Sequence, residues 1–194
     1  GTVGLVATRL DALSTLWRKP ADGNPLFNMP GAIAARAVLV GETLSLSDGR
    51  FTLDGETRSF SAQLGVGATR DIHLSADLGT LDTTRSAALF ALLPDPRQDA
   101  AFAATFPSGE FDLTADAMTI DGLDGRDLSA KGSWDGGVLV LDEVGAGDLG
   151  GAQFKASLTA FGSFDRPELS GTGTLKLATA SAPAASRFFE AVGA

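Results

Sequence analysis

The chain has 194 residues, 44% hydrophobic and 20% charged, with 24 acidic against 15 basic side chains and a formal net charge of −9. That is enough apolar chain for a real core in one large domain or two small ones, and too much for a disordered segment. The lack of cysteine excludes disulfide frameworks and thiol chemistry, a single histidine (His73) excludes a multi-histidine metal centre, and an acidic chain with no basic cluster beyond Arg18-Lys19 argues against nucleic acid as a partner.

Val3, Val6, Leu10, Leu13 and Trp17 recur at steps of three and four, which predicts a helix ended by Pro20 and Gly23-Asn24-Pro25. From Ala32 the period falls to two. Leu44 and Leu46 alternate with polar residues up to a turn signal at Asp48-Gly49. Phe51 and Leu53 do the same up to Asp54-Gly55. Phe60, Ala62, Leu64 and Val66 form the next alternating run, and Ile72, Leu74, Ala76 and Leu78 the one after. Each run has one apolar and one polar face, the pattern of an antiparallel meander wetted on one side. A short helix is expected from Thr84 to Leu93, capped by Asp82 or Thr83 and stopped by Pro94, with a loop at Asp95–Asp99.

The β pattern then resumes with Phe111, Leu113 and Ala115, followed by Met118 and Ile120 and a turn at Asp121-Gly122. Leu128 and Ala130 precede a hairpin signal at Asp135-Gly136-Gly137. A strand at Val138–Leu141 follows, and Leu149-Gly150-Gly151 marks a tight bend. Phe154, Ala156, Leu158 and Ala160 alternate cleanly. Leu169, Gly171, Gly173, Leu175 and Leu177 close the series, with glycines on the apolar side that predict close approach or curvature. Ala184–Val192 reads as a short amphipathic helix. The order of strands and turns over Gly41–Leu78 recurs over Gly137–Leu175. Thr43-Leu44-Ser45-Leu46 matches Val138–Leu141, Phe60–Leu64 matches Phe154–Leu158, and Asp71–Leu78 matches Glu168–Leu175.

The expected fold is therefore mainly β: a repeat-built, curved antiparallel sheet forming an open groove, with a few short helices. Its parts are an N-terminal helix and linker (1–28), a first β unit (29–82), a helix and connecting loop (83–105), a second β unit (106–178) and a C-terminal helix (179–194). No apolar run approaches the ~20 residues that span a bilayer. The start has no signal-peptide character, and the abrupt opening predicts a piece of a longer protein whose anchor lies elsewhere.

The runs Gly109–Asp116, Gly125–Ala130, Asp135–Leu141, Leu149–Leu158 and Phe164–Gly173 resemble the C-terminal region of AsmA-family proteins, and Ala32–Leu81 is similar to the preceding unit of that family. The resemblance implies a periplasmic segment tethered to the inner membrane of a Gram-negative bacterium through a part of the protein outside this chain. It also implies kinship with bridge-like lipid-transfer proteins, whose repeated sheet forms a long groove lined with apolar side chains, and a part in phospholipid supply and outer-membrane assembly. The partners so implied are phospholipid acyl chains, the rest of the longer parent chain with its membrane anchor, and other envelope proteins. No catalytic residue and no cofactor is carried over.

An apolar sheet face is covered either by the protein's own layers or by guest hydrocarbon. The residues expected to line such a groove are Phe51, Leu53, Phe60, Leu64, Ile72, Leu74, Phe111, Leu113, Leu128, Phe154, Leu158, Leu169 and Leu175. Each of them also fits an ordinary core. Other chemistry is thin. His73, flanked by Asp71 and Asp77, sits at a polar-face position. Asp112, Asp116, Asp121, Asp124 and Asp127 match no calcium-loop spacing. Gly145–Gly151 lacks the Lys-Ser/Thr ending of a phosphate loop, and Trp17 and Trp134 fit packing roles. The rival readings are a structural or adhesive β-repeat module with a protein ligand, and a carbohydrate-active β-solenoid enzyme.

Overall fold

The computed structural model describes residues 1–7, 30–53, 55–68, 70–85, 107–120, 123–135, 138–163, 166–177 and 186. They form one curved, open sheet, as the alternating runs require. Its strands are β1 (Thr2–Ala7), β2 (Gly31–Val40), β3 (Thr43–Leu53), β4 (Glu56–Gly65), β5 (Asp71–Asp77), β6 (Thr80–Leu81), β7 (Ser108–Ile120), β8 (Leu123–Asp135), β9 (Val138–Leu149), β10 (Ala152–Ser163) and β11 (Arg166–Leu177). The order across the sheet is β1-β2-β3-β4-β5-β7-β8-β9-β10-β11, with β6 beside β7 as a short continuation of β5.

All neighbours are antiparallel except at the β5–β7 and β6–β7 pairs. The sheet is thus two five-strand meanders, β1–β5 and β7–β11, meeting at a parallel seam, where the alternating pattern predicts antiparallel pairing throughout. Parallel neighbours need a crossover connection rather than a hairpin. Here the chain leaves β6 through a helical start at Thr83–Arg85, where the Arg85 amide donates to Asp82 Oδ1 at 2.7 Å. Asp82 is the N-cap, as its residue type predicts.

Two expected features are replaced by others. Val3–Ala7, read as the first turns of a helix, is strand β1, paired residue for residue with Ala35–Gly31. Val3 and Val6 suit one helical face but stand on opposite faces of a strand. The β-branched segment finds backbone partners along β2, and Val6 is left 82% exposed. The turn expected at Asp48-Gly49 is a bulge inside β3. Leu46 pairs with Ala62 and Gly49 with Phe60, so β3 carries one residue more than β4. The apolar parity explains it. Leu44 and Leu46 are even, Phe51 and Leu53 odd, and only an extra residue keeps all four on one side. Asp48 takes the left-handed conformation at φ 51°, which aspartate tolerates better than most residues.

The same device recurs. On β9 the apolar parity changes from Leu141 to Val144, opposite the regular step Leu158 to Ala156 on β10, and again from Ala146 to Leu149. The second change is shared by β7 and β8, where Ala115 to Met118 faces Leu128 to Gly125 and Asp127 adopts φ 50°. A Cβ placed on Gly125 would stand 3.1 Å from Leu128 Cδ2 and 3.4 Å from Leu149 Cδ1, so these three positions share a face despite the odd spacing. Gly132 is a different case. Its missing Cβ would fall against the Val140 carbonyl oxygen and 3.0 Å from Leu141 Cα, so this central strand needs a glycine there.

The remainder of the expected helix to Trp17, the helix beyond Arg85, the loop Asp95–Asp99, the turn residues Asp54, Asp121-Gly122 and Gly136-Gly137, and the C-terminal helix apart from Ser186 lie outside the described residues.

Candidate functional site

The register assembles the expected lining residues into transverse rows on one face. The first row runs Leu39, Leu44, Leu64, Ile72, Gly109, Trp134, Leu139, Ala160, Leu169 from β2 to β11, each directly paired with the next. The second runs Ala37, Leu46, Ala62, Leu74, Phe111, Gly132, Leu141, Leu158, Gly171 across the same strands. A third holds Phe60, Ala76, Leu113, Ala130, Val144, Ala156 and Gly173, and a fourth holds Leu128, Ala146, Phe154 and Leu175, with Phe51 and Leu53 on the same side of β3. All thirteen candidates therefore stand at register positions of a single apolar face. It crosses the parallel seam without a break. At about 4.8 Å per strand the two long rows extend roughly 38 Å.

Phe51, Leu53, Phe60, Leu64, Ile72, Leu74, Phe111, Leu113, Leu128, Phe154, Leu158 and Leu175 are all half-buried. Among the described residues no large side chain is fully buried. The sealed hydrophobics are seven alanines and Leu81. Most of the alanines sit between larger neighbours, Ala62 beside Leu46 and Leu74, Ala146 beside Leu128 and Phe154, so they form a floor shaded by taller walls. Four of the aromatics stand in pairs. Phe51 and Phe60 have ring centroids 6.4 Å apart at 57°, and Phe111 stacks on Trp134 at 5.9 Å and 24°. The Trp134 indole N–H donates to the Pro107 carbonyl at 2.6 Å, which orients this wall at the start of β7. On β11 the missing Cβ of Gly171 would stand 2.7 Å from Leu158 Cα, the close approach that its place among apolar positions predicted.

The same face also carries residues beyond the thirteen expected from the sequence: Ile33, Leu39, Leu44, Leu46, Met118, Trp134, Leu139, Leu141, Val144 and Leu149. Leu44 and Leu46 were legible from alternation alone. Val144 and Leu149 were hidden by the parity changes on β9. One end of the face is polar. Arg58, half-buried, contacts Asp116 at 3.2 Å, Glu56 at 3.7 Å and Asp77 at 3.9 Å, while Arg85 approaches Glu56 at 3.8 Å. This network ties β4, β5 and β7 to the start of the crossover.

The opposite face is mostly hydrophilic, with Val6, Val38 and Val40 exposed on it along β1 and β2, and over the central strands it runs as a ladder of alternating charge. Asp112 faces Lys131 at 4.0 Å, Lys131 is opposite Glu143, and Glu143 faces Lys155 at 3.8 Å. His73 lies between Asp71 (Nε2–Oδ2 3.2 Å) and Glu110 (Nδ1–Oε2 3.1 Å), across the seam. A shallow depression of about 690 Å³ overlies this face, bordered by Ser45, Gln63, His73, Asp112, Lys131 and Asp142. Among the described residues no group of three metal-ligating side chains occurs, and no described helix is long and apolar enough to cross a membrane. Comparison with family models, with curated proteins and with solved structures found no match.

Proposed function

We propose that the chain is a periplasmic segment of an AsmA-like protein, tethered to the inner membrane through a part of the protein outside it. On this reading it acts in phospholipid transfer between membranes and in outer-membrane assembly by sheltering acyl chains on the apolar face. The observation that carries the reading is the continuity of that face. Side chains from both meanders line it over nine strands, and the twelve large candidates named above are half-buried rather than sealed. The resemblance of Gly109–Gly173 to the family is the second support.

The physical chemistry is consistent with this role. Each methylene removed from water contributes ~0.8 kcal/mol, so ten half-covered methylenes gain about 4 kcal/mol on an open face. A sheet open on one side leaves the phosphate headgroup in water, which avoids the cost of burying its charge. Sliding between equivalent rows needs no nucleophile, base, metal or cofactor.

The test is solvent extraction and native mass spectrometry of the purified chain. Co-purifying phospholipid is expected, lost in Leu74→Asp and retained in Ser75→Asp, its neighbour on the other face. A lipid-free protein, or equal loss in both variants, overturns the reading.

A further inference from the structure

We infer that molecules of this chain join edge to edge, β11 of one pairing in parallel with β1 of the next, in the register that β5 and β7 use inside the molecule. The inference rests on the strand ladder and stands independently of the lipid reading.

The two meanders are equivalent strand by strand. Leu44 and Leu46 on β3 correspond to Leu139 and Leu141 on β9, and in both strands the extra residue follows the second leucine. Followed outward in one direction, the ladder runs Leu46–Ala62–Leu74 in the first meander and Leu141–Leu158–Gly171 in the second. Gly171 of β11 thus stands where Leu74 of β5 stands. Followed the other way, it runs Leu46–Ala37–Gly1 and Leu141–Gly132–Phe111, the Gly1–Ala37 pair being closed by reciprocal hydrogen bonds of 2.7 Å and 2.8 Å. Gly1 thus stands where Phe111 stands. Inside the molecule Leu74 and Phe111 are direct partners across the seam. The same step between two molecules sets Gly171 opposite Gly1, Thr172 opposite Thr2, Gly173 opposite Val3 and Leu175 opposite Leu5, with matching faces.

Both edges suit that pairing. Among the described residues β1 and β11 each have one strand neighbour. Because Gly1 exchanges its bonds with Ala37, the backbone groups of Val3 and Leu5 also point inward, and those of Thr2, Gly4 and Val6 point out toward a partner. β1 has no charged residue, proline or bulge, the devices that protect a free edge; on β11, Arg166, Pro167 and Glu168 precede the paired segment Gly171–Leu177, whose one charged residue is Lys176. Val3 is 50% exposed and Leu177 36% exposed, so apolar side chains stand open on both sides of the joint. The pairing is heterologous, joining β11 of each molecule to β1 of the next, so it builds a filament or a closed ring rather than a two-fold dimer.

The chain has no cysteine, so cysteine placement reads the joint directly. Thr2→Cys and Thr172→Cys are made separately, mixed and oxidised. Parallel neighbours ~4.8 Å apart fall within the range a disulfide spans. The mixed disulfide is expected to predominate over both homotypic products. Thr172→Cys mixed with Val6→Cys, four residues out of register, is expected to give none. In the Thr2→Cys background, Gly4→Pro removes an outward N–H without touching the β1–β2 bonds, and Val6→Lys charges the edge. Either change is expected to abolish the cross-link while circular dichroism stays that of the parent. Homotypic disulfides in equal yield, insensitivity to both edge variants, or sedimentation as a monomer at every concentration overturns the proposal.

Discussion

Truncating the walls of the apolar face separates an open surface from a sealed core. Leu64, Leu74 and Leu158 sit in the two long rows and are half-buried. Leu→Ala deletes three carbons, worth ~0.8 kcal/mol each when fully buried, or about 2.4 kcal/mol in all. With part of each side chain already in water, about 1–2 kcal/mol of this is lost. No cavity term adds to it, because water or lipid fills the space. In a closed core the same change costs ~2.7–5 kcal/mol, since the void stays empty. Urea denaturation of the three single variants against the parent, at constant m-value, reads the difference. Losses of about 1–2 kcal/mol are expected for each. Losses above ~3 kcal/mol at all three sites would show a sealed core and refute the reasoning.

Three further outcomes follow from the same geometry. Gly132→Ala sets a methyl against the Val140 carbonyl in a central strand, and we expect at least ~2 kcal/mol of destabilisation in thermal melts. Asp48 holds φ 51° at the β3 bulge, so Asp48→Gly is expected to match or exceed the parent in stability, whereas Asp48→Val loses roughly 1–2 kcal/mol. Lys131 is 65% exposed in its ion pair with Asp112, so Lys131→Ala is expected to shift stability by no more than ~0.5 kcal/mol.

Alternation made much of this fold readable in the sequence. β4, β5 and β10 are regular strands, and Phe60–Leu64, Ile72–Ala76 and Phe154–Ala160 announce their buried sides directly. Where the ladder takes an extra residue the local signal is ambiguous. Asp48-Gly49 carries turn chemistry, and only the pairing on both flanks makes it a bulge. β1 reads as helix in the sequence because Val3 and Val6 satisfy a helical step and the strand's partner lies some thirty residues away. The parallel seam has no local signature, since it depends on where the crossover returns the chain. The matched motifs Phe60–Leu64 and Phe154–Leu158 are themselves offset by two residues in the ladder. Phe60 is opposite Gly49, whereas Val144, the position equivalent to Gly49, is opposite Ala156. The candidate site was legible as a face but not as rows, because row membership depends on register.

Site-specific photo-crosslinking to phospholipid tests the central claim most directly. A benzophenone side chain is placed at Leu64 or Phe154 on the apolar face, or at Ser61 or Lys155 on the hydrophilic one, and irradiated with vesicles of radiolabelled phospholipid. Labelled adducts from the first two positions and none from the second two are expected. Blank lanes at Leu64 and Phe154, or equal labelling from both faces, would contradict the account.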